Sequence, residues 1–235
     1  LDFVPTTSRP SGNGKDTGGG IIKSLDTDDA TKVTYYTPRF YGFQAGISYA
    51  PEVGSMSDGE QVQFLENAGA GPFQEDFFEA GLNYREKFGE VGVLAGLTFD
   101  VADAKDGSGR EDVSAWGLGG RMTYKGFAFG GGYVDNGDSS NPDATADDDE
   151  TAWNVGATYK DGAWGLSVNY LAEDYETAGG RSGAGGEYDA LVFGGTYKIA
   201  DGLTTGADLA FFDRDKVTGT DDDGYVFILE TKAAF

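Results

Sequence analysis

The 235-residue chain carries 40 acidic and 17 basic residues, which gives a formal net charge of −23, and it contains neither cysteine nor histidine. Such a charge repels the phosphate backbone of nucleic acids, and the missing residue types exclude disulfides, thiol or histidine catalysis and histidine-bound metals. The 39 glycines and the 16 Phe, 13 Tyr and 3 Trp residues favour an all-β protein.

Apolar and polar residues alternate in about eleven segments, each long enough for a β-strand. The predicted strands, in chain order, are 31–38, 42–50, 76–88, 90–100, 112–125, 127–135, 151–160, 163–174, 187–199, 203–213 and 224–235. No segment approaches the roughly eighteen consecutive apolar residues of a membrane-spanning helix.

The segments between the predicted strands alternate in length. Five are tight and each contains a glycine: 38–42, 88–91, 124–127, 159–164 and 198–203. The other five are long: 51–75, 101–111, 136–150, 175–186 and 214–223. This alternation favours an antiparallel up-and-down meander with short turns at one end, as in a transmembrane β-barrel, over a Greek-key sandwich.

One face of each predicted strand is apolar, with aromatic residues near the strand ends and smaller aliphatic residues between them. In the segment 163–174, for example, Trp164, Leu166, Val168 and Tyr170 share a face. This order is typical of a hydrocarbon band between two interfacial aromatic girdles. The opposite faces are polar and rich in glycine. Because unpaired charges are costly in a packed core, these faces predict a water-filled lumen.

Three features resemble the general porins of the Gram-negative outer membrane, most closely the alphaproteobacterial type. They are the stretch "TKVTYYTPRFYGFQAGISYAPE" (Thr31 to Glu52), the succession of strand-and-loop pairs, and the terminal "LETKAAF" that ends in Phe235. The resemblance covers most of the chain and implies a protein in contact with outer-membrane lipid and lipopolysaccharide. It also implies a homotrimer of barrels with about sixteen strands each. In this family the insertion machinery recognises the last strand, which makes Phe235 the candidate insertion signal.

The strand count predicts where the chain lies within such a barrel. Single-chain bacterial barrels have an even number of strands, and eleven strands that end in the periplasm leave the segment 1–29 on the outer side. We therefore expect this chain to be the C-terminal part of a longer porin, with barrel strands in residues 30–235. If sixteen strands apply, the segment 1–29 occupies the place of the family's pore-constricting loop. Its candidate constriction residues are Arg9, Lys15, Asp16 and Lys23, and the alternative is an ordinary exposed loop.

Ten charged residues on the polar faces are predicted to line the pore and to filter solutes by size and charge. They are Glu79, Arg85, Lys87, Asp100, Arg121, Lys160, Glu173, Asp208, Glu230 and Lys232. The predicted function is passive diffusion of small hydrophilic solutes and ions, and the acidic total predicts a preference for cations. Two alternatives are a non-channel outer-membrane barrel with a structural or adhesin-like role, and a secreted β-sandwich lectin.

Neither enzyme activity nor a cofactor is expected, because no spacing among the carboxylates indicates a catalytic pair. The acidic runs "DATADDDE" (Asp143 to Glu150) and "TDDDG" (Thr220 to Gly224) are candidate calcium or magnesium ligands. Neither run has the spacing of an EF-hand, and solvated loop charge is the alternative. The glycine-rich stretch 117–132 lies within predicted strands, which argues against a phosphate-binding loop.

Overall fold

A computed structural model describes residues 27, 30–53, 74–139, 149–175, 186–216 and 221–234. Eleven strands account for most of this part of the chain. They are β1 (Val33–Tyr36), β2 (Phe43–Val53), β3 (Gln74–Phe88), β4 (Val91–Ala104), β5 (Val113–Tyr124), β6 (Phe127–Gly137), β7 (Glu150–Asp161), β8 (Trp164–Tyr175), β9 (Gly186–Ala200), β10 (Leu203–Lys216) and β11 (Asp222–Ala233).

Every strand pairs with the next one along the chain, and every pairing is antiparallel. The order within the single sheet is therefore β1 to β11 without a crossover. In the described part of the chain, β1 and β11 each have one neighbouring strand. The prediction of an all-β, up-and-down meander is confirmed. A lectin sandwich needs two packed sheets, and this arrangement does not provide them.

Short turns join the strands at one end of the sheet, which we call the turn side. The opposite end, with the long connections, is the loop side. The β5–β6 turn shows how tight these connections are, because Lys125 and Gly126 alone join the two strands and both have positive φ angles of 44° and 84°. Such a two-residue turn matches the twist of the strands on either side of it.

Several strands extend further on the loop side than the hydrophobic alternation predicts. β4 continues to Ala104 instead of ending at residue 100, and β10 continues to Lys216 instead of residue 213. The hydrogen-bonded ladder does not need an apolar face, so it continues past the point where the alternation ends. On the turn side the predicted and observed strand ends agree within two residues for all eleven strands.

Two small clusters of buried apolar side chains lie near the loop-side ends of the strands. One consists of Val134, Leu171, Tyr188 and Ala190. The other consists of Ala50, Val53, Phe77, Ala102 and Val113. Most other large apolar side chains of the described strands are exposed, so this sheet does not enclose one central core.

The described residues include no helix that is both long enough and apolar enough to cross a membrane.

Candidate pore wall

The strand register places the predicted apolar residues on one face of the sheet. Directly opposed residues of neighbouring strands share a face, and one such row crosses five strands. It consists of Leu82, Leu97, Leu118, Tyr133 and Trp153. Much of this apolar face is open, as Phe129 (57% exposed) and Phe227 (59%) illustrate. Exposed apolar surface of this extent requires a partner other than water.

Aromatic side chains form pairs at both ends of the apolar face. On the turn side, the rings of Phe127 and Tyr159 lie 4.3 Å apart between centroids, and those of Trp164 and Tyr197 lie 4.6 Å apart. On the loop side, Trp153 and Tyr170 are separated by 5.2 Å. Between these levels the face carries residues such as Val168. Two aromatic girdles around an aliphatic band are what a sheet in contact with lipid presents.

All ten charged residues predicted for the pore wall lie on the other, polar face. The register shows this directly for Glu79, which opposes Asp100, and for Arg85 and Arg121, which both oppose Leu94. The alternation along each strand places the other six on the same face: Lys87, Lys160, Glu173, Asp208, Glu230 and Lys232. The shared face is an observation; their contact with a water-filled pore stays a prediction.

The charges of this face are sorted along the strands. Glu79, Asp100 and Glu173 each lie nine residues from the turn-side end of their strands, or about 30 Å at the usual rise per residue. The five basic residues of the set lie within three residues of the turn-side end: Arg85, Lys87, Arg121, Lys160 and Lys232. Asp208 and Glu230 are also in the turn-side half, on β10 and β11. Three ion pairs of the described residues, Lys105–Glu52, Lys125–Glu90 and Lys198–Asp201, are formed by side chains outside this set of ten.

Arg39 also contacts the polar face, although the sequence pattern did not identify it. It lies in the β1–β2 turn, and its guanidinium donates to the carbonyl of Gly42 (2.6 Å), to Gln44 Oε1 (2.9 Å) and to Asn83 Oδ1 (2.5 Å). Gln44 and Asn83 are opposed residues of the polar face. An Arg at the edge of a short turn was the signal in the sequence, but only the turn geometry shows which face it reaches.

The polar face is less uniform than predicted, because both apolar clusters belong to it. Leu171 opposes Asn154 and Tyr188 opposes Glu173, so both belong to this face, and each is 2% exposed. Arg214 lies over the ring of Tyr188, with 5.9 Å between its guanidinium carbon and the ring centroid. The expectation that this face would be polar and glycine-rich throughout is wrong at this level.

The chain immediately before β1 contacts the polar face. Thr27 is 2% exposed, and its hydroxyl donates to Glu79 Oε2 at 2.8 Å while its amide donates to Oε1 at 3.4 Å. The Lys32 ammonium donates to the Thr27 hydroxyl at 2.7 Å. Ala30 packs against the cluster that contains Ala50 and Phe77. The proposed constriction residues Arg9, Lys15, Asp16 and Lys23, and the terminal Phe235, lie outside the described residues.

The described residues show no group of three or more carboxylates arranged to hold a metal ion. Most of the acidic run 143–150 lies outside them, so this does not test the suggested loop-bound calcium or magnesium. The glycine-rich stretch 117–132 belongs to β5, β6 and the turn between them, as predicted.

Comparisons with known proteins agree with this architecture. A family model described as Gram-negative porin matches residues 2–217. The anion-selective porin from Comamonas acidovorans superposes with a TM-score of 0.55 at 16% identity, covering 83% of this chain and 53% of that one. OmpT, an outer membrane protein of Vibrio cholerae, gives 0.54 at 20% identity, with 86% and 63% covered. OmpF of Salmonella typhi, in complex with daunomycin, gives 0.54 at 14% identity, with 85% and 61% covered.

No curated protein sequence matches the chain. The chain spans about half to two thirds of the length of these solved structures, and identities of 14–20% carry the fold alone. The family match extends over far more than half of the chain, and the sheet has the meander of a porin barrel. The chain therefore belongs to the Gram-negative porin family, and its location is the outer membrane.

Proposed function

We propose that the protein forms a water-filled channel in which small hydrophilic solutes and ions diffuse passively across the outer membrane. The observation that carries the proposal is the opposite polarity of the two faces of the same strands. In β8, the neighbours Ser167 and Val168 are both exposed and point to opposite faces, the polar and the apolar one. When lipid covers the apolar face, the charged face of a barrel is left with a hydrated lumen.

Transport of this kind follows the concentration gradient and makes or breaks no bond, so no enzyme activity and no cofactor are expected. The family membership supports this expectation, since porins are channels. A metal bound by the acidic loops stays a separate prediction.

A preference for cations is part of the proposal. The net charge of −23 and the loop-side carboxylates Glu79, Asp100 and Glu173 support it, because a negative vestibule concentrates cations. The Comamonas porin is named as anion-selective, and at 16% identity this selectivity does not transfer.

We also propose that the segment 1–29 folds inward and narrows the pore. The support comes from its C-terminal end, where Thr27 is buried against Glu79 on the polar face. An ordinary exposed loop would not need to bury its last residues on the inner wall. On this proposal, Arg9, Lys15, Asp16 and Lys23 contribute charge to the constriction.

The remaining features rest on the family resemblance. They are assembly as a homotrimer, contact with lipopolysaccharide, an alphaproteobacterial type, a position at the C-terminal end of a longer chain, and recognition of Phe235 during insertion.

Planar bilayers test the channel directly. The full-length protein should produce stepwise currents in potassium chloride, and a salt gradient should give a reversal potential of the sign for a cation-preferring pore. Bilayers that stay closed, although the protein is inserted and resists proteolysis, would contradict the channel and favour the adhesin-like alternative. A reversal potential of the opposite sign would contradict only the cation preference.

A further inference from the structure

A group of basic side chains lies on the turn-side part of the polar face, in the half of the sheet that contains β1 to β5. Arg39 belongs to the β1–β2 turn, Arg85 and Lys87 to β3, and Arg121 to β5; we call these four residues the basic patch. All four are exposed. Their charges are close together, because Arg85 and Arg121 both oppose Leu94 and are therefore two strand spacings, about 10 Å, apart. Lys87 follows Arg85 on the same face at about 7 Å.

Arg39 is held beside Arg85 by the backbone. The carbonyl of Gly42 accepts a hydrogen bond from the Arg39 guanidinium at 2.6 Å and another from the Arg85 amide at 2.8 Å. The other acceptors of the Arg39 guanidinium, Gln44 and Asn83, are neutral. The turn therefore fixes a positive charge next to Arg85 without compensating it.

Carboxylates are absent from this part of the polar face. From the level of Asn83 to the turns, the polar faces of β2 to β6 are described completely and carry neither Asp nor Glu. Two acids lie nearby but off this face. Glu86 lies on the apolar face opposite Val93, where its carboxylate accepts a hydrogen bond from the Lys87 amide at 3.0 Å, and Glu90 pairs with Lys125 at 3.3 Å. Among the described residues, Arg85, Lys87 and Arg121 have no ion pair.

Small residues surround the basic patch, although Leu94 lies on the same face between Arg85 and Arg121. Gly92 and Gly96 of β4 and Gly119 of β5 share the face with the charges and have no side chains. An uncompensated set of two or more guanidinium groups is suited to carboxylate and phosphate oxygens, which it binds with two parallel hydrogen bonds each.

We propose that the basic patch binds small solutes that carry two or more carboxylate or phosphate groups as they pass the turn-side part of the pore. The inference rests on the proposed channel for its role in transport, but the binding itself does not require current to flow. It is compatible with a preference for cations, because the acidic residues that support that preference lie about 20 Å further along the strands.

Two measurements test the site on the full-length protein. Isothermal titration calorimetry in detergent measures binding of inorganic pyrophosphate and, separately, of citrate, and planar bilayers measure how each anion reduces the potassium current. The test variant is the double substitution Arg85→Gln and Arg121→Gln. The matched control is Lys160→Gln, which removes a turn-side charge of the same face outside the basic patch.

We expect pyrophosphate, citrate or both to bind, and we expect the double variant to lose about tenfold or more in affinity while Lys160→Gln changes it little. Comparing the two anions decides between phosphate-bearing and carboxylate-bearing solutes. Absence of binding to the unaltered protein, or equal affinity in the double variant with an unchanged far-ultraviolet circular dichroism spectrum, would overturn the site. Binding without any current would instead leave the site standing and contradict the proposed channel.

Discussion

The two faces of the sheet differ in composition although the same strands supply both. At one level of β5 and β6, the apolar face carries Met122 opposite Phe129, while the neighbouring residues of the polar face are Arg121 and Gly130. In a soluble sandwich an apolar face would be buried against a second sheet, yet here most large side chains of the apolar face are exposed. The difference agrees with the proposed channel, in which the alternation in this sequence separates lipid from water instead of core from solvent.

The contrast between the faces is restricted to the turn-side and central parts of the strands. At the loop side, the apolar face itself becomes acidic, where Asp189 opposes Asp213 and Asp213 opposes Asp223. The hydrocarbon band must end before this row, since charged side chains in contact with lipid are costly.

The largest effect is expected from placing a charge on the lipid face. Val168→Arg should lower the free energy of unfolding by about 2–4 kcal/mol, because the guanidinium would lie in hydrocarbon. Ser167→Arg, one residue away on the polar face, should cost much less since its side chain reaches water. Urea unfolding of the protein in lipid vesicles measures both. Equal losses for the two variants would mean that the faces do not meet different solvents.

The contact between Thr27 and the wall provides the next test, on the polar face. Thr27→Val removes the hydroxyl that donates to Glu79 at 2.8 Å, and a hydrogen bond to a carboxylate is worth about 1.5–3 kcal/mol. We expect faster amide hydrogen exchange at residues 27 and 30 and no change within β3. The control Thr34→Val loses a hydroxyl contact to Ser48 instead, so faster exchange at residue 27 in this variant as well would remove the specific role of Thr27.

Much of the fold could be predicted from alternation alone, because lipid on one side and water on the other impose a period of two on every strand. The loop-side ends of β4 and β10 could not be predicted, since backbone pairing continues where the apolar pattern stops. The reach of Arg39 depends on the backbone of one turn. That Arg85 and Arg121 lie at one level depends on the strand register. The buried positions of Leu171 and Tyr188 depend on tertiary packing that the local pattern does not encode.

Two glycines of the apolar face test whether the absence of a side chain there is needed for the close approach of neighbouring strands. A Cβ at Gly131 would lie 2.5 Å from the carbonyl oxygen of Asn154 on β7, so Gly131→Ala must shift the two strands and should cost about 1–3 kcal/mol. At Gly195 of β9, on the same face, the nearest atom would be 3.9 Å away, and Gly195→Ala should be neutral or slightly stabilising. The same unfolding measurement compares them, and a harmless Gly131→Ala would disprove the close approach.

The smallest effect concerns the aromatic girdle on the turn side. A double-mutant cycle of Trp164→Ala and Tyr197→Ala, whose rings are 4.6 Å apart, should give a coupling energy of about 0.5–1.5 kcal/mol. On the loop side, the rings of Phe211 and Tyr225 lie 6.5 Å apart, so their coupling should be weaker. A stronger coupling in the wider pair would show that ring contact does not determine the stability of the girdle.

The central claim is that the polar face borders water in an open channel while the apolar face borders lipid. Because the chain contains no cysteine, Ser167→Cys and Val168→Cys each introduce a single reporter. In planar bilayers, a water-soluble, positively charged thiol reagent should modify Ser167→Cys and reduce its conductance in one step, and it should leave Val168→Cys unchanged. Modification of Val168→Cys alone, or of neither variant in protein that conducts, would contradict the account.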